Sequence, residues 1–176
     1  LRVVKQDIFE CLISFIISQR KSIPAIKSSL SKLSEKYGEL CNFDGVSYYS
    51  FPHPGRLVWG YGSDRFSECG LGYRDVYVYQ AARDVLDGTR PLERLYDLGY
   101  SGAREYLMGF YGVGEKVADC VCLYSLGMLD AFPVDVWVRR LLVENFTTWS
   151  YEDMLKRYEG MLGLLQLYMF YYKRNM

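Results

Sequence analysis

Histidine is nearly missing from this chain of 176 residues: His53 is the only one. With a single imidazole, and with Cys120 and Cys122 separated by one residue, no zinc-binding spacing can be assembled. The five cysteines include no four-cysteine run near the C-terminus, which argues against an iron–sulfur cluster. Their odd number, and their placement mostly in apolar helical patterns, fit reduced thiols in a reducing compartment. Net charge is missing too, with 21 basic residues balanced by 21 acidic ones. No global field therefore advertises a nucleic-acid partner, and any such binding must come from local basic clusters and backbone amides. The apolar stretch 8–17 is interrupted by Glu10 and is too short to span a bilayer, and no signal peptide is visible. Strand-type alternation is nearly absent, as are internal repeats and low-complexity linkers.

What remains is a chain that is 50% hydrophobic, with 17 Tyr and 9 Phe, which excludes disorder. Its length suits one domain, or two small lobes sharing a core. A start at Leu1 rather than Met, directly before a helix, is the mark of a truncated, processed or partial chain. Asp7 can cap a helix over 8–19 with an apolar stripe of Phe9, Leu12, Ile13, Ile16 and Ile17. Ser22 and Pro24 open a second helix to about residue 37, with Ile23, Ile26, Leu30 and Leu33 inward and Lys21, Lys27, Lys32 and Lys36 outward. The Pro-, Gly- and aromatic-rich stretch 38–62 predicts mostly loop, with a short helix near 56–59. Helices are expected over 63–69, 73–86, 92–98, 101–109, 115–126, 136–145, 151–161 and 163–174. About ten helices joined by short loops predict an all-α domain.

Helix, Gly112-Val113-Gly114 turn, helix is a helix–hairpin–helix pattern. The glycines permit the tight turn and let amides approach a phosphate at the next helix N-terminus. Taken alone, the same turn is equally a plain helix connection. Lys116 follows in the first turn of the second helix. By itself it reads as a solvated or phosphate-touching lysine; as a nucleophile its amine must lose its proton. Asp135, one helix and a return loop later and behind Pro133, reads alone as an ordinary N-cap, kept ionised by capping and the helix dipole. The pair is far more specific than either member.

Gly112-Val-Gly-Glu-Lys-Val-Ala-Asp-Cys120 and Ala131-Phe-Pro-Val-Asp-Val-Trp-Val138 resemble the signature of 8-oxoguanine DNA glycosylase/lyases, of the helix–hairpin–helix, Gly/Pro-Asp superfamily. The similarity continues in Leu12-Ile-Ser-Phe-Ile-Ile-Ser18, Tyr48-Tyr-Ser-Phe-Pro52, Gly70-Leu-Gly-Tyr-Arg74 and 166–170, and so covers nearly the whole chain. The resemblance implies two helical lobes, roughly 23–110 and 1–22 plus 111–176, with the active site between them. It implies a base excision repair enzyme in which Lys116 attacks C1′ of a flipped nucleotide and Asp135 stabilises the developing positive charge and helps manage the lysine proton. A Schiff base and β-elimination follow. Cys120 and Phe170 would sandwich the base and Gln166 would bond its Watson–Crick edge; read alone, the first two fit a core stripe and Gln166 a solvated helix position. Tyr73 would wedge into the stack, or simply pack as a helix-start aromatic, with Arg74 beside it. Gly112, Val113 and Gly114 would grip phosphate. The carbonyls of Met108, Phe110 and Val113 would hold a monovalent cation, K⁺ or Na⁺, and no other cofactor is expected.

The pattern also departs from the family. In the turn 18–22, Arg20 stands at the position that fills the gap left by the flipped base, where an asparagine-rich turn is usual. Ala25 replaces an arginine that reads the opposite cytosine, and Trp137 a phosphate-contacting histidine. No counterpart of the family's N-terminal antiparallel-sheet domain is present in the sequence. The expected partner is damaged duplex DNA, bound by a monomer in the cytoplasm and nucleoid of a prokaryote or the nucleus of a eukaryote, without a membrane. The competing readings are a glycosylase for alkylated purine or oxidised pyrimidine, and a non-catalytic DNA-binding module.

Overall fold

Asp7 starts the first helix as its position predicts: Oδ1 accepts the Glu10 N–H at 2.9 Å. The computed structural model describes residues 2–62, 66–145 and 151–175. In the helix that follows, α1 (Ile8–Ser18), seven apolar residues from Ile8 to Ile17 are buried, so it runs through the core rather than over it. Each such Ile or Leu contributes roughly 1.5–3 kcal/mol by leaving water. Pro24 sits in the first turn of α2 (Ile23–Tyr37), where its missing N–H costs nothing. The inward face of α2 is Ser29, Leu33 and Tyr37, at four-residue steps; Ile23, expected inward, is exposed.

The stretch expected to be loop instead folds as an antiparallel hairpin, β1 (Leu40–Phe43) and β2 (Val46–Tyr49), in register Leu40↔Tyr49 and Phe43↔Val46. The turn residues Asp44 and Gly45 have φ of +48° and +76°, the left-handed pair that an Asp-Gly two-residue turn supplies. α3 (Pro54–Gly60) is a turn longer than expected and is capped by His53, whose ring nitrogen accepts the Gly55 N–H at 3.2 Å.

A 3₁₀ turn, Ser67–Cys69, is the described part of the helix expected over 63–69; residues 63–65 lie outside the described set. Then come α4 (Arg74–Leu86), a 3₁₀ segment (Leu92–Asp97), α5 (Tyr100–Met108) and α6 (Glu115–Tyr124). The chain ends with α7 (Val136–Asn145), α8 (Tyr151–Arg157) and α9 (Leu162–Asn175). The all-α expectation holds apart from the hairpin. Among the described residues no helix is long and apolar enough to cross a membrane.

α1 packs on α2, α4 and α6, and α5 packs along α6. Buried apolar residues form two clusters that divide between Ala131 and Phe132. α1 and α6 share the first cluster with the segment 23–110. The second cluster is built by α7, α8 and α9 around Val138, Met154 and Met169.

Candidate active site

The hairpin is anchored from below and from the side. Phe110 and Val113 are buried, and the Val113 N–H donates to the Phe110 carbonyl at 3.1 Å, closing the turn. Gly112 has φ of +80°, and a Cβ there would lie 2.4 Å from the Tyr77 ring. Gly112→Ala therefore combines left-handed strain with a clash against a packed ring. We expect a loss of about 2 kcal/mol, read as a fall in Tm. Asp119 ties the two helices together, accepting from the Tyr100 hydroxyl and from Arg104 Nε, each at 2.9 Å. Arg104 also reaches Glu115 at 3.1 Å. The sequence signal for this brace was a carboxylate inside the apolar run 117–123.

Lys116, Cys120 and Tyr124 follow at four-residue steps and so share one face of α6. Lys116 Nζ lies 4.8 Å from the centre of the Phe15 ring, and Phe15 stacks on Tyr124 at 5.7 Å and 14°. Burial pushes the Cys120 thiol up to about 12, against the pull of the neighbouring Lys116, which also hydrogen-bonds it. Burial likewise pushes the Tyr124 hydroxyl up to about 12, with Cys120, Cys11 and Asp135 adding to the effect. Cys11 is raised to about 11, again mainly by burial. At neutral pH both thiols and the phenol are protonated, so Cys120 forms an inert wall and no thiolate competes with the amine. Phe15 and Tyr124 escaped the sequence reading, although counting in fours from Lys116 leads directly to Tyr124.

Asp135 caps α7, with Oδ1 accepting the Val138 N–H at 2.8 Å. Among the described residues, no ion pair joins it to Lys116. Gln166 and Phe170 lie four residues apart on α9. Gln166 is only 5% exposed, and its Oε1 has no hydrogen-bond partner among the described residues. An unsatisfied buried oxygen costs roughly 1–3 kcal/mol, which makes this a place waiting for a donor. Phe170 is half-buried against the second cluster. Lys116 also borders a cleft of about 610 Å³ whose walls include Tyr100, Arg104, Asp119 and Arg139. That cleft includes none of Cys120, Asp135, Gln166 and Phe170.

The remaining expected residues divide. Tyr73 is half-exposed and Arg20 is exposed. Arg74, expected on DNA, is buried: it donates to the Gln19 carbonyl through Nε at 2.7 Å and through Nη2, and to the Leu71 carbonyl through Nη1 at 3.1 Å. Its guanidinium holds loops together rather than facing solvent, and it also lies 4.4 Å from the Tyr73 ring centre. Trp137 is exposed beneath Arg140, at 5.5 Å.

No family model matches the chain. It is 32% identical to the probable N-glycosylase/DNA lyase of Methanothermobacter thermautotrophicus, over 97% of this chain and 62% of that protein. It is 35% identical to the N-glycosylase/DNA lyase of Saccharomyces cerevisiae, over 89% of this chain and 44% of that protein. The fold matches the Clostridium acetobutylicum 8-oxoguanine glycosylase/lyase, solved with duplex DNA containing cytosine opposite 8-oxoguanine. The TM-score is 0.90 at 34% identity, covering 99% of this chain and 62% of that one. The chain thus spans less than two thirds of the length of these relatives. In both sequence and fold, over nearly its whole length, the chain is thus similar to N-glycosylase/DNA lyases and to the 8-oxoguanine glycosylase/lyases among them.

Proposed function

We propose that this chain is the catalytic region of a bifunctional base excision repair glycosylase/β-lyase that removes 8-oxoguanine, or a related oxidised purine, from duplex DNA. The observation that carries the reading is Lys116: a single amine directly after the hairpin, on a face of α6 otherwise made of protonated or apolar groups. The hairpin amides hold a phosphate and position the strand without reading its sequence. The target nucleotide is extruded at a cost of a few kcal/mol.

The lone pair of the Lys116 amine then forms a bond to C1′ as the bond from C1′ to the base nitrogen breaks, and the base leaves with that electron pair and takes up a proton given up by the amine. Asp135, held by its cap at the start of α7, stabilises the positive charge at the sugar. Opening of the sugar ring gives the Schiff base between Lys116 and C1′. Loss of a C2′ proton then expels the 3′ phosphate and nicks the strand. Gln166 Oε1, without a partner among the described residues, suits a donor on the base edge, between Cys120 and Phe170. A monovalent cation at the carbonyls of Met108, Phe110 and Val113 belongs to the same reading; these are neutral oxygens, which suit a singly charged ion, and the Phe110 oxygen keeps a lone pair beyond its bond to Val113. The chemistry needs no other cofactor, and the partner is damaged duplex DNA bound by a monomer, wherever the genome lies.

A panel of duplexes tests the substrate class. 8-Oxoguanine opposite each base, an alkylated purine, an oxidised pyrimidine and undamaged DNA are incubated with the protein, and strand nicking is scored. Nicking confined to 8-oxoguanine and related purines is expected. With Ala25 and Arg20 in place of the residues that read or replace cytosine pairing, rates should vary only modestly with the opposite base. Preferential release of the alkylated base without nicking would overturn the reading.

A further inference from the structure

Three loops far apart in sequence meet at one residue. The Gln19 side-chain amide donates to the Gly112 carbonyl at 3.0 Å, across to the hairpin. The Gln19 carbonyl in turn accepts from the buried guanidinium of Arg74, the residue after Tyr73. Two residues along, Lys21 Nζ donates to Ser29 Oγ at 2.5 Å and to the Gly70 carbonyl at 2.7 Å, fastening the same turn to the start of the Tyr73 loop. Between these two anchors lies Arg20, exposed, with φ of +51°. A left-handed backbone is unfavourable for arginine and persists only where its surroundings impose it. Here the anchors on either side do so. Two exposed side chains, Arg20 and Tyr73, are therefore each carried next to a buried fastening, and both fastenings converge on Gln19. The same residue grips the hairpin carbonyl whose glycine is packed against Tyr77.

We propose that Gln19 is a positioning residue that makes the hairpin, the Arg20 turn and the Tyr73 loop one rigid body, so that grip on a phosphate is transmitted to the two side chains that face the duplex. The proposal rests on the glycosylase reading above. Its physical basis is preorganisation: extruding a base requires holding the backbone and invading the stack at once, and loops that are already ordered do not have to be ordered on binding. Glutamine suits the role because its carboxamide supplies an N–H donor on a two-methylene stem, long enough to reach the hairpin from the loop.

The test compares two steps in the same variants. Gln19→Met keeps the bulk and removes the donor, Gln19→Glu sets a carboxylate against the Gly112 oxygen, and Gln19→Lys restores a donor of similar reach. Each is assayed for base release from a fully paired 8-oxoguanine duplex, for borohydride trapping on a preformed abasic site, and for Tm. Base release by the Met and Glu variants should fall about tenfold, in kcat more than in KM. Trapping on the abasic site, where the base is already gone, should stay within about twofold of wild type, and the Lys variant should recover most of the base release. Equal losses in both assays, or no loss in either, would overturn the proposal. Failure of the glycosylase reading looks different, because the wild-type protein itself would then neither release base nor be trapped.

Discussion

Lys116→Gln is expected to leave a folded, DNA-binding protein that neither releases base nor cuts strands, with both activities down by at least about 10³-fold. In the proposed mechanism both must fall together, because one amine forms the bond to C1′ and then holds the Schiff base from which elimination proceeds. No neighbour can substitute: Cys120 and Tyr124 are held protonated by burial, and Asp135 is committed to capping α7. The fold should survive, since Lys116 is half-exposed and touches chiefly the Phe15 ring and the Cys120 thiol. A cation–π contact of this kind is worth about 0.5–2 kcal/mol, a shift of a few degrees in Tm. Circular dichroism and duplex binding separate loss of chemistry from loss of structure. A variant that still nicks at more than about a hundredth of the wild-type rate would remove Lys116 from its role.

The second large effect falls on stability. Asp119 is buried and holds α5 to α6 through Tyr100 and Arg104. Asp119→Ala strands the Tyr100 hydroxyl, whose pKa is already raised by burial and then by Asp119, and removes one of two carboxylate partners from Arg104. Breaking a buried pair typically costs 3–5 kcal/mol; because Arg104 is partly exposed and keeps Glu115, about 3 kcal/mol is the better figure. In a chain of this size that lowers Tm by about 6–12 °C, measurable by calorimetry. Asp119→Asn keeps an acceptor and should lose about half as much. A loss under about 1 kcal/mol for the Ala variant would mean that the helix pair is held by apolar packing alone.

These two residues mark how far the sequence could be read. Lys116 was visible because a glycine hairpin and a later Pro-x-Asp frame it, all local patterns with a mechanical meaning. Asp119, three residues on, carries no such frame: a carboxylate in an apolar run says only that a partner exists, not which. The β-hairpin had its turn signal in Asp44-Gly45, but its two strands are short and mostly exposed, so no alternation of buried and exposed residues betrayed them. Tyr73 and Arg74 stand side by side in sequence and have opposite environments, which only the packing of the Gln19 loop decides. The Gln19–Gly112 bond joins residues 93 positions apart and leaves no local trace. Gln166 reads as a solvated helix position, yet tertiary packing buries it and leaves one oxygen bare.

The central claim is that the Lys116 amine is the atom that bonds to the sugar. The protein is incubated with an 8-oxoguanine duplex, reduced with borohydride, digested, and the peptide bearing the sugar remnant is sequenced by mass spectrometry. The remnant should lie on the peptide spanning the hairpin and α6, at Lys116. A remnant on Lys21, on another lysine or on the N-terminal amine, or base release with no covalent adduct at all, would contradict it.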